Sequence, residues 1–414
     1  MVEFIQIVIY ASIYIGLVAT VFYILSYFSD TKKKRKFFTD KELPFVTVII
    51  PAYNEEKSIG RTIESIIKSD YPKNKYEVLV VDDGSKDDTL KIARKYASKL
   101  VKIFHKKNGG KASALNYGIK RCKGEFIFSM DADTFVNTGS MKKMIKFFKN
   151  PEVMSVTPAM LIHKPKSILQ RIQYVEYLLG LFLRKTFAAL NAVYITPGAF
   201  SAYRKTFFDK YGGYDEGNIT EDLEMSIRIQ YKGYKIENCP EAAVYTIAPS
   251  KFKPLLIQRR RWYYGLIKNL MKYKGLLSRK YGDLGLFVIP ISLISIFFAV
   301  FITLYLFFKT LVNVQKDFLF YSSINYDFSG LLNINFQVLE RTLFLFLTNT
   351  TVLFIILFMI MLGFYIKYAS KKVGRPVGLI FNLPLFFLFF AILFGFWWII
   401  SLFYLIFAEK IKWR

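Results

Sequence analysis

Phe126-Ile127-Phe128-Ser129-Met130-Asp131-Ala132-Asp133-Thr134 is an apolar run, rich in aromatic and β-branched residues, that ends in two carboxylates. Such a run reads as a strand buried on both faces of a parallel sheet, and open α/β sheets bind ligands at the carboxyl ends of their strands. Asp131 and Asp133, two residues apart at that terminus, can share one hard divalent cation, Mg²⁺ or Mn²⁺, which prefers oxygen ligands and can also hold the phosphates of a nucleotide. A solvated turn after a strand explains an isolated Asp-x-Asp equally well. The surrounding sequence decides between the two.

Upstream, the same pattern repeats. Phe45 to Pro51 is a first strand that exits through Ala52-Tyr53-Asn54-Glu55-Glu56 into a helix reaching about Ser69, where Asp70-Tyr71-Pro72 stops it. Tyr76 to Val81 is a second strand, delivering Asp82-Asp83-Gly84-Ser85 at its end. A third strand near Leu100 to Phe104 leads to His105-Lys106-Lys107-Asn108-Gly109-Gly110-Lys111, where glycines permit close backbone approach and Lys111 supplies positive charge; a plain solvated loop is the competing reading. Short β-branched runs alternating with amphipathic stretches to about Ile247 argue for one α/β domain with a mostly parallel sheet.

The 414 residues are 53% hydrophobic and 18% aromatic, too apolar for an ordinary soluble chain, and the formal charge of +27 suits anionic headgroups or nucleotide phosphates. Phe4 to Phe28 is long enough to span a membrane and too long for a signal peptide. Lys32-Lys33-Lys34-Arg35-Lys36 directly after it marks the cytosolic side. Further spans are expected at about Leu284 to Phe308, Thr342 to Lys367 and Gly378 to Phe407. Val312 to Glu340 then forms a loop outside, and Lys371, Lys372 and Arg375 lie inside. Lys410, Lys412 and Arg414 would end outside, against the positive-inside rule. The expected division is a transmembrane helix over 1–30, a basic linker over 31–44, a cytosolic domain over 45–275 and about three spans over 276–414. Nucleic-acid binding would need cations gathered on one face with stacking aromatics, whereas many here flank spans. Cys122 and Cys239 have no zinc spacing and fit reduced thiols in the cytosol.

Taken in order, Pro51-Ala52-Tyr53-Asn54-Glu55, Val81-Asp82-Asp83-Gly84-Ser85, Gly110-Lys111-Ala112-Ser113-Ala114-Leu115-Asn116 and Asp131-Ala132-Asp133 resemble the family 2 glycosyltransferases with the GT-A fold. Thr220-Glu221-Asp222 and Gln258-Arg259-Arg260-Arg261-Trp262 extend the resemblance to the membrane-embedded branch of cellulose, chitin and hyaluronan synthases. The resemblance covers about residues 45 to 275. It implies a nucleotide-sugar donor, a glycan or lipid-linked acceptor, a metal on Asp131 and Asp133, and a nucleoside pocket lined by Tyr53, Glu55, Asp83 or Asp82, and Lys111, with Asp131 also touching the ribose.

An acceptor hydroxyl needs a carboxylate within hydrogen-bond reach to take its proton. Glu221 and Asp222 are both placed for this, and spacing does not separate them; the family pattern selects Asp222, and a single base implies inversion. Thr220 followed by acids also reads as a helix N-cap. Phe252 to Tyr273 reads as an amphipathic helix, and either lipid headgroups or a diphosphate would explain its arginines. The family motif favours function: Gln258, Arg259 and Arg261 toward the diphosphate and Trp262 as the floor of the acceptor site. Ser167 to Ala192 carries an apolar stripe at helical spacing that fits core packing or an interfacial helix. Thr196-Pro197-Gly198-Ala199-Phe200-Ser201 resembles the family's acceptor-side segment. The reading is a membrane-bound inverting glycosyltransferase extending a glycan, the alternative being transfer of one sugar to a polyprenyl phosphate or other lipid acceptor.

Overall fold

The computed structural model describes residues 2–31, 38–39, 41–326, 336–373 and 378–407. The basic cluster Lys32 to Lys36, and Arg375, Lys410, Lys412 and Arg414, lie outside the described residues, as do the side chains of Lys371 and Lys372. The chain opens with helix α1 (Val2–Thr31). The α/β domain follows as β1 (Val46–Ala52), α2 (Ile59–Ile67), β2 (Tyr76–Asp82), α3 (Thr89–Arg94), β3 (Val101–His105), α4 (Lys111–Ile119), β4 (Phe126–Ser129), β5 (Phe135–Val136), α5 (Ser140–Ile145) and β6 (Val153–Ile162). It continues through α6 (Ile168–Ala189), β7 (Ser201–Arg204), α7 (Lys205–Tyr211), α8 (Glu221–Tyr231), β8 (Lys235–Thr246) and α9 (Phe252–Lys272). Among the described residues four more α-helices follow: α10 (Ile289–Ser323), α11 (Phe336–Thr348), α12 (Thr350–Val373) and α13 (Leu379–Phe407).

Eight strands form one sheet in the order β3-β2-β1-β4-β7-β6-β8-β5. The β3-β2-β1-β4 half is parallel throughout. Its apolar runs are continuous because alternate side chains enter different cores: Val48, Ile50 and Val80 pack beneath α2 and α5, while Ile49, Leu79 and Ile127 pack against α4 and α7. Beyond β4 the expected mostly parallel sheet continues in β6 and β8, which pair parallel. β7 pairs antiparallel with both β4 and β6, and β5 pairs antiparallel with β8, so the whole is a mixed α/β sheet. The ends of β1, β2 and β4 thereby come together at one edge, which positions the site.

Helix α6 starts with a capping box in which Ser167 Oγ accepts from Gln170 N and the Gln170 side chain accepts from the Ser167 N–H. Its stripe serves packing on two sides. Ile172, Val175 and Leu178 share a core with Leu161 and Tyr245 of the sheet, and Phe182 stacks on Tyr365 of α12 at 4.5 Å and packs on Tyr27 of α1. This helix therefore joins the α/β domain to the apolar helices.

Three helical stretches among the described residues are long and apolar enough to cross a membrane: Phe4–Ser29, Leu284–Ser323 and Leu379–Phe407. At 40 residues the second runs well past the expected Phe308, taking in part of what reads as an external loop. The expected span Thr342 to Lys367 is two helices, α11 and α12, bent by 68° at Asn349. Asn349 Oδ1 accepts from Val352 N, a local alternative to the helical ladder that favours a break there.

Candidate active site

A cleft of about 440 Å³ opens at the ends of β1, β2 and β4, lined by Tyr53, Glu55, Asp83, Asn108, Lys111, Asp131, Asp133 and Arg261, with backbone from Pro51, Gly110 and Ala132. Seven of the residues singled out from sequence thus meet in one place although up to 208 residues separate them in the chain. Asp82 lies beneath the cleft, fully buried, with Oδ2 2.6 Å from His105 Nδ1 and Oδ1 without a protein partner. Asp83 faces in, and its carboxylate accepts from Gly110 N at 2.7 Å, Gly109 N at 3.1 Å and Lys106 Nζ at 2.7 Å. Gly110 holds φ at +88°, a region costly for other residues, and this turn launches α4 so that Lys111 points into the cleft.

Lys111 is the electrostatic hub. Its Nζ sits 2.6 Å from Asp131 Oδ1 and 2.9 Å from Glu221 Oε1, tying the end of β4 to the start of α8. Burial opposes its charge, but Asp131, Glu221 and Asp222 together hold its pKa well above the usual lysine range. Gly198 makes this convergence possible: a Cβ there would lie 2.7 Å from Lys111 Nζ and 2.9 Å from Asp222 Oδ2. Gly198 thus answers a plain packing demand, beside the acceptor-side role expected for its segment by resemblance. Gly198→Ala is expected to push Lys111 off its acids and lower transfer by about tenfold or more, the effect of an ångström-scale displacement; steady-state rates against the parent protein measure it.

The geometry separates Glu221 from Asp222. Glu221 is 3% exposed and committed to Lys111. Asp222 is half-buried, gives Oδ1 to the Leu223 N–H at 2.8 Å and turns Oδ2 toward Gly198. Burial, then the neighbouring Glu221 charge, push the Asp222 carboxyl up to about 6. Thr220 occupies the N-cap position of α8 but does not cap it by its side chain: the hydroxyl donates to Asn218 Oδ1 two residues back and accepts from Asn269 Nδ2 of α9, so partners other than the helix's own N–H groups hold it.

Asp133 is also pushed up to about 6, by burial first and then by the Asp131 and Glu55 charges. A cation beside it would relieve that strain, so the residues fit a divalent metal. Among the described residues no three acid, histidine or cysteine side chains gather to enclose a metal by themselves. Two carboxylates with the remaining positions left to phosphate oxygens and water is the usual arrangement for Mg²⁺ in nucleotide sites.

Arg259, Arg260 and Arg261 fan out, as successive residues about 100° apart on a helix must. Arg261 reaches the cleft. Arg260 lies over the Tyr404 ring of α13 at 4.3 Å. Arg259 is 2% exposed and forms a bidentate pair with Glu176 of α6 at 2.6 and 2.7 Å, its guanidinium over the rings of Trp262 and Trp397. The structure therefore brings neither Arg259 nor Gln258 to the cleft, and Trp262 packs on Arg259 beside it. Glu176→Gln strands a buried guanidinium and should cost about 3–5 kcal/mol of stability, read as a lower unfolding midpoint in detergent. Sequence reasoning missed Glu176, Asn108 and the anchoring of Lys111 by Glu221; only the buried acid in the otherwise apolar Tyr174 to Phe182 run signalled the first.

Residues 47–212 match the model of glycosyl transferase family 2. The chain is 30% identical over 347 residues to a poly-beta-1,6-N-acetyl-D-glucosamine synthase of Staphylococcus epidermidis, covering 81% of this chain and 78% of that one. It is 34% identical over 229 residues to the Staphylococcus aureus (strain COL) protein of the same name, spanning 55% of that relative's length. A mannosyltransferase from Pyrobaculum calidifontis, solved with GDP-Man and Mn²⁺, shares the fold at a TM-score of 0.55 and 20% identity, over 88% of this chain and 98% of that one. With the α/β domain, its mixed sheet and the cleft at the strand ends, the chain belongs to glycosyltransferase family 2, and its nucleotide-sugar domain has the GT-A fold.

Proposed function

We propose that this protein is a membrane-bound inverting glycosyltransferase that extends a glycan from a nucleotide-sugar donor, with activated N-acetylglucosamine the first donor to test. The observation that carries the reading is the convergence of Asp131, Asp133, Lys111 and Arg261 in one cleft with Asp222 at its rim. The staphylococcal relatives, named for a polymer, support chain extension over transfer of one sugar to a lipid.

In this reading Tyr53, Glu55 and Asp83 hold the nucleoside, and Asp222 takes the proton of the acceptor hydroxyl as its oxygen attacks the anomeric carbon. The bond from that carbon to the diphosphate breaks on the opposite face, so configuration inverts and the nucleoside diphosphate leaves. Arg261 and Lys111 stabilise the charge that develops on it. Mg²⁺ or Mn²⁺, held by Asp131 and Asp133, would supply Lewis-acid stabilisation of the same leaving group. Trp262 floors the acceptor side.

Membranes containing the protein, incubated with a panel of labelled nucleotide sugars, should yield a polymer with one donor. A lipid bearing a single sugar would favour the alternative acceptor, and no transfer from any donor would remove the reading. A cytosolic α/β domain is our reading of the basic sequence Lys32 to Lys36; cysteines substituted there should resist a membrane-impermeant reagent in intact cells, and labelling from outside would reverse the orientation.

A further inference from the structure

The chain between α7 and α8, residues 212–220, delivers Asp222, and it is gripped from two sides. On one side Asn116 of α4 donates from Nδ2 to Tyr214 O and Glu216 Oε1, both at 2.9 Å, and accepts from Tyr214 N at 2.8 Å. On the other, Asn218 Nδ2 donates to Asn269 Oδ1 of α9 at 2.7 Å, and Asn269 Nδ2 returns to Thr220 Oγ1 at 3.1 Å. Asn269 is 1% exposed, so these bonds are made away from water, where an unmade bond costs most. Each asparagine sits on a helix that carries a cation of the cleft: Lys111 begins α4, and Arg261 lies two turns before Asn269 on α9.

Arg261, Gly265 and Asn269 are spaced four apart and share one face of α9. Gly265 is where that face meets Thr220: a Cβ there would overlap Thr220 Oγ1 and stand 2.5 Å from its Cγ2 and 2.9 Å from its Cβ. Two residues beyond Thr220 is Asp222. We propose that Gly265, Thr220 and Asn269 form a positioning key that sets the distance between the base Asp222 and the leaving-group cation Arg261, with Asn116 anchoring the other end of the segment. None of the four lines the cleft itself. The key acts on the chemical step through the register of α8 against α9, and so rests on the roles given above to Asp222 and Arg261.

The test is a kcat and KM comparison in purified full-length protein, with nucleotide binding measured separately. Gly265→Ala should lower kcat by about 10²-fold, the scale of an ångström-level misplacement, while donor KM and nucleoside diphosphate affinity stay within about threefold. Asn269→Ala, which adds no bulk, should move kcat in the same direction and carries the test if Gly265→Ala does not accumulate. Unchanged kcat in a folded Gly265→Ala protein overturns the key, as does a loss of kcat matched by an equal loss of nucleotide affinity. Wild-type protein assayed in parallel across the donor panel separates this failure from failure of the proposed activity: the key is judged on the ratio of variant to wild type, the activity on wild type alone.

Discussion

Asp222→Asn should lower transfer by about 10²-fold or more while nucleotide affinity barely changes, because the amide keeps the shape and the Leu223 hydrogen bond but cannot accept a proton at neutral pH. Glu221→Gln should behave differently. It takes one of two carboxylates from Lys111, so it should weaken nucleotide binding along with turnover. If Asp222→Asn loses binding in proportion to turnover and Glu221→Gln loses turnover alone, the base is Glu221. The pH profile gives an independent check. Asp222 is pushed up to about 6, so below that pH its carboxyl is protonated and cannot act as base, and above it the carboxylate accumulates. The acid limb of kcat/KM, which reports the free enzyme, should therefore rise through about pH 6 and be shallower in the residual activity of Asp222→Asn, where Asp133 still titrates in that range.

Asp133→Ala should remove turnover almost completely, and excess EDTA should do the same to the parent protein, with Mn²⁺ or Mg²⁺ restoring it only in the parent. Asp133 is raised by burial and by two neighbouring carboxylates, and Asp131 has its nearer oxygen on Lys111, so Asp133 is the acid of the pair with more to gain from a cation. Full activity in EDTA ends the metal assignment. Arg261→Ala, by contrast, leaves both carboxylates in place and should weaken nucleotide binding as well as slow transfer.

What the sequence disclosed and what it withheld divide along physical lines. Asp83, Lys111, Asp131 and Asp133 were legible because each terminates or begins a strongly patterned element, and parallel strands deliver their ends to one edge. Arg259 was misplaced because three neighbouring arginines look equivalent in one dimension. Their different fates come from helical fanning and from Glu176, 83 residues away. Thr220 followed the local N-cap pattern in position, but its hydroxyl answered to Asn269, which no local rule contains. The antiparallel strand β7 was hidden because it is four residues long and its pairing is fixed by β4 and β6 on either side. The break at Asn349 has no proline or glycine beside it, so composition gave no stop.

The central claim is that the cleft transfers sugar from a nucleotide to a growing glycan with inversion. The direct measurement is NMR of the product made by purified protein from an α-linked nucleotide-activated N-acetylglucosamine with Mn²⁺, recording linkage configuration and chain length together. The account predicts β-linked chains of several residues, lost in Asp222→Asn; an α-linked product, or chains that persist undiminished in that variant, would contradict it.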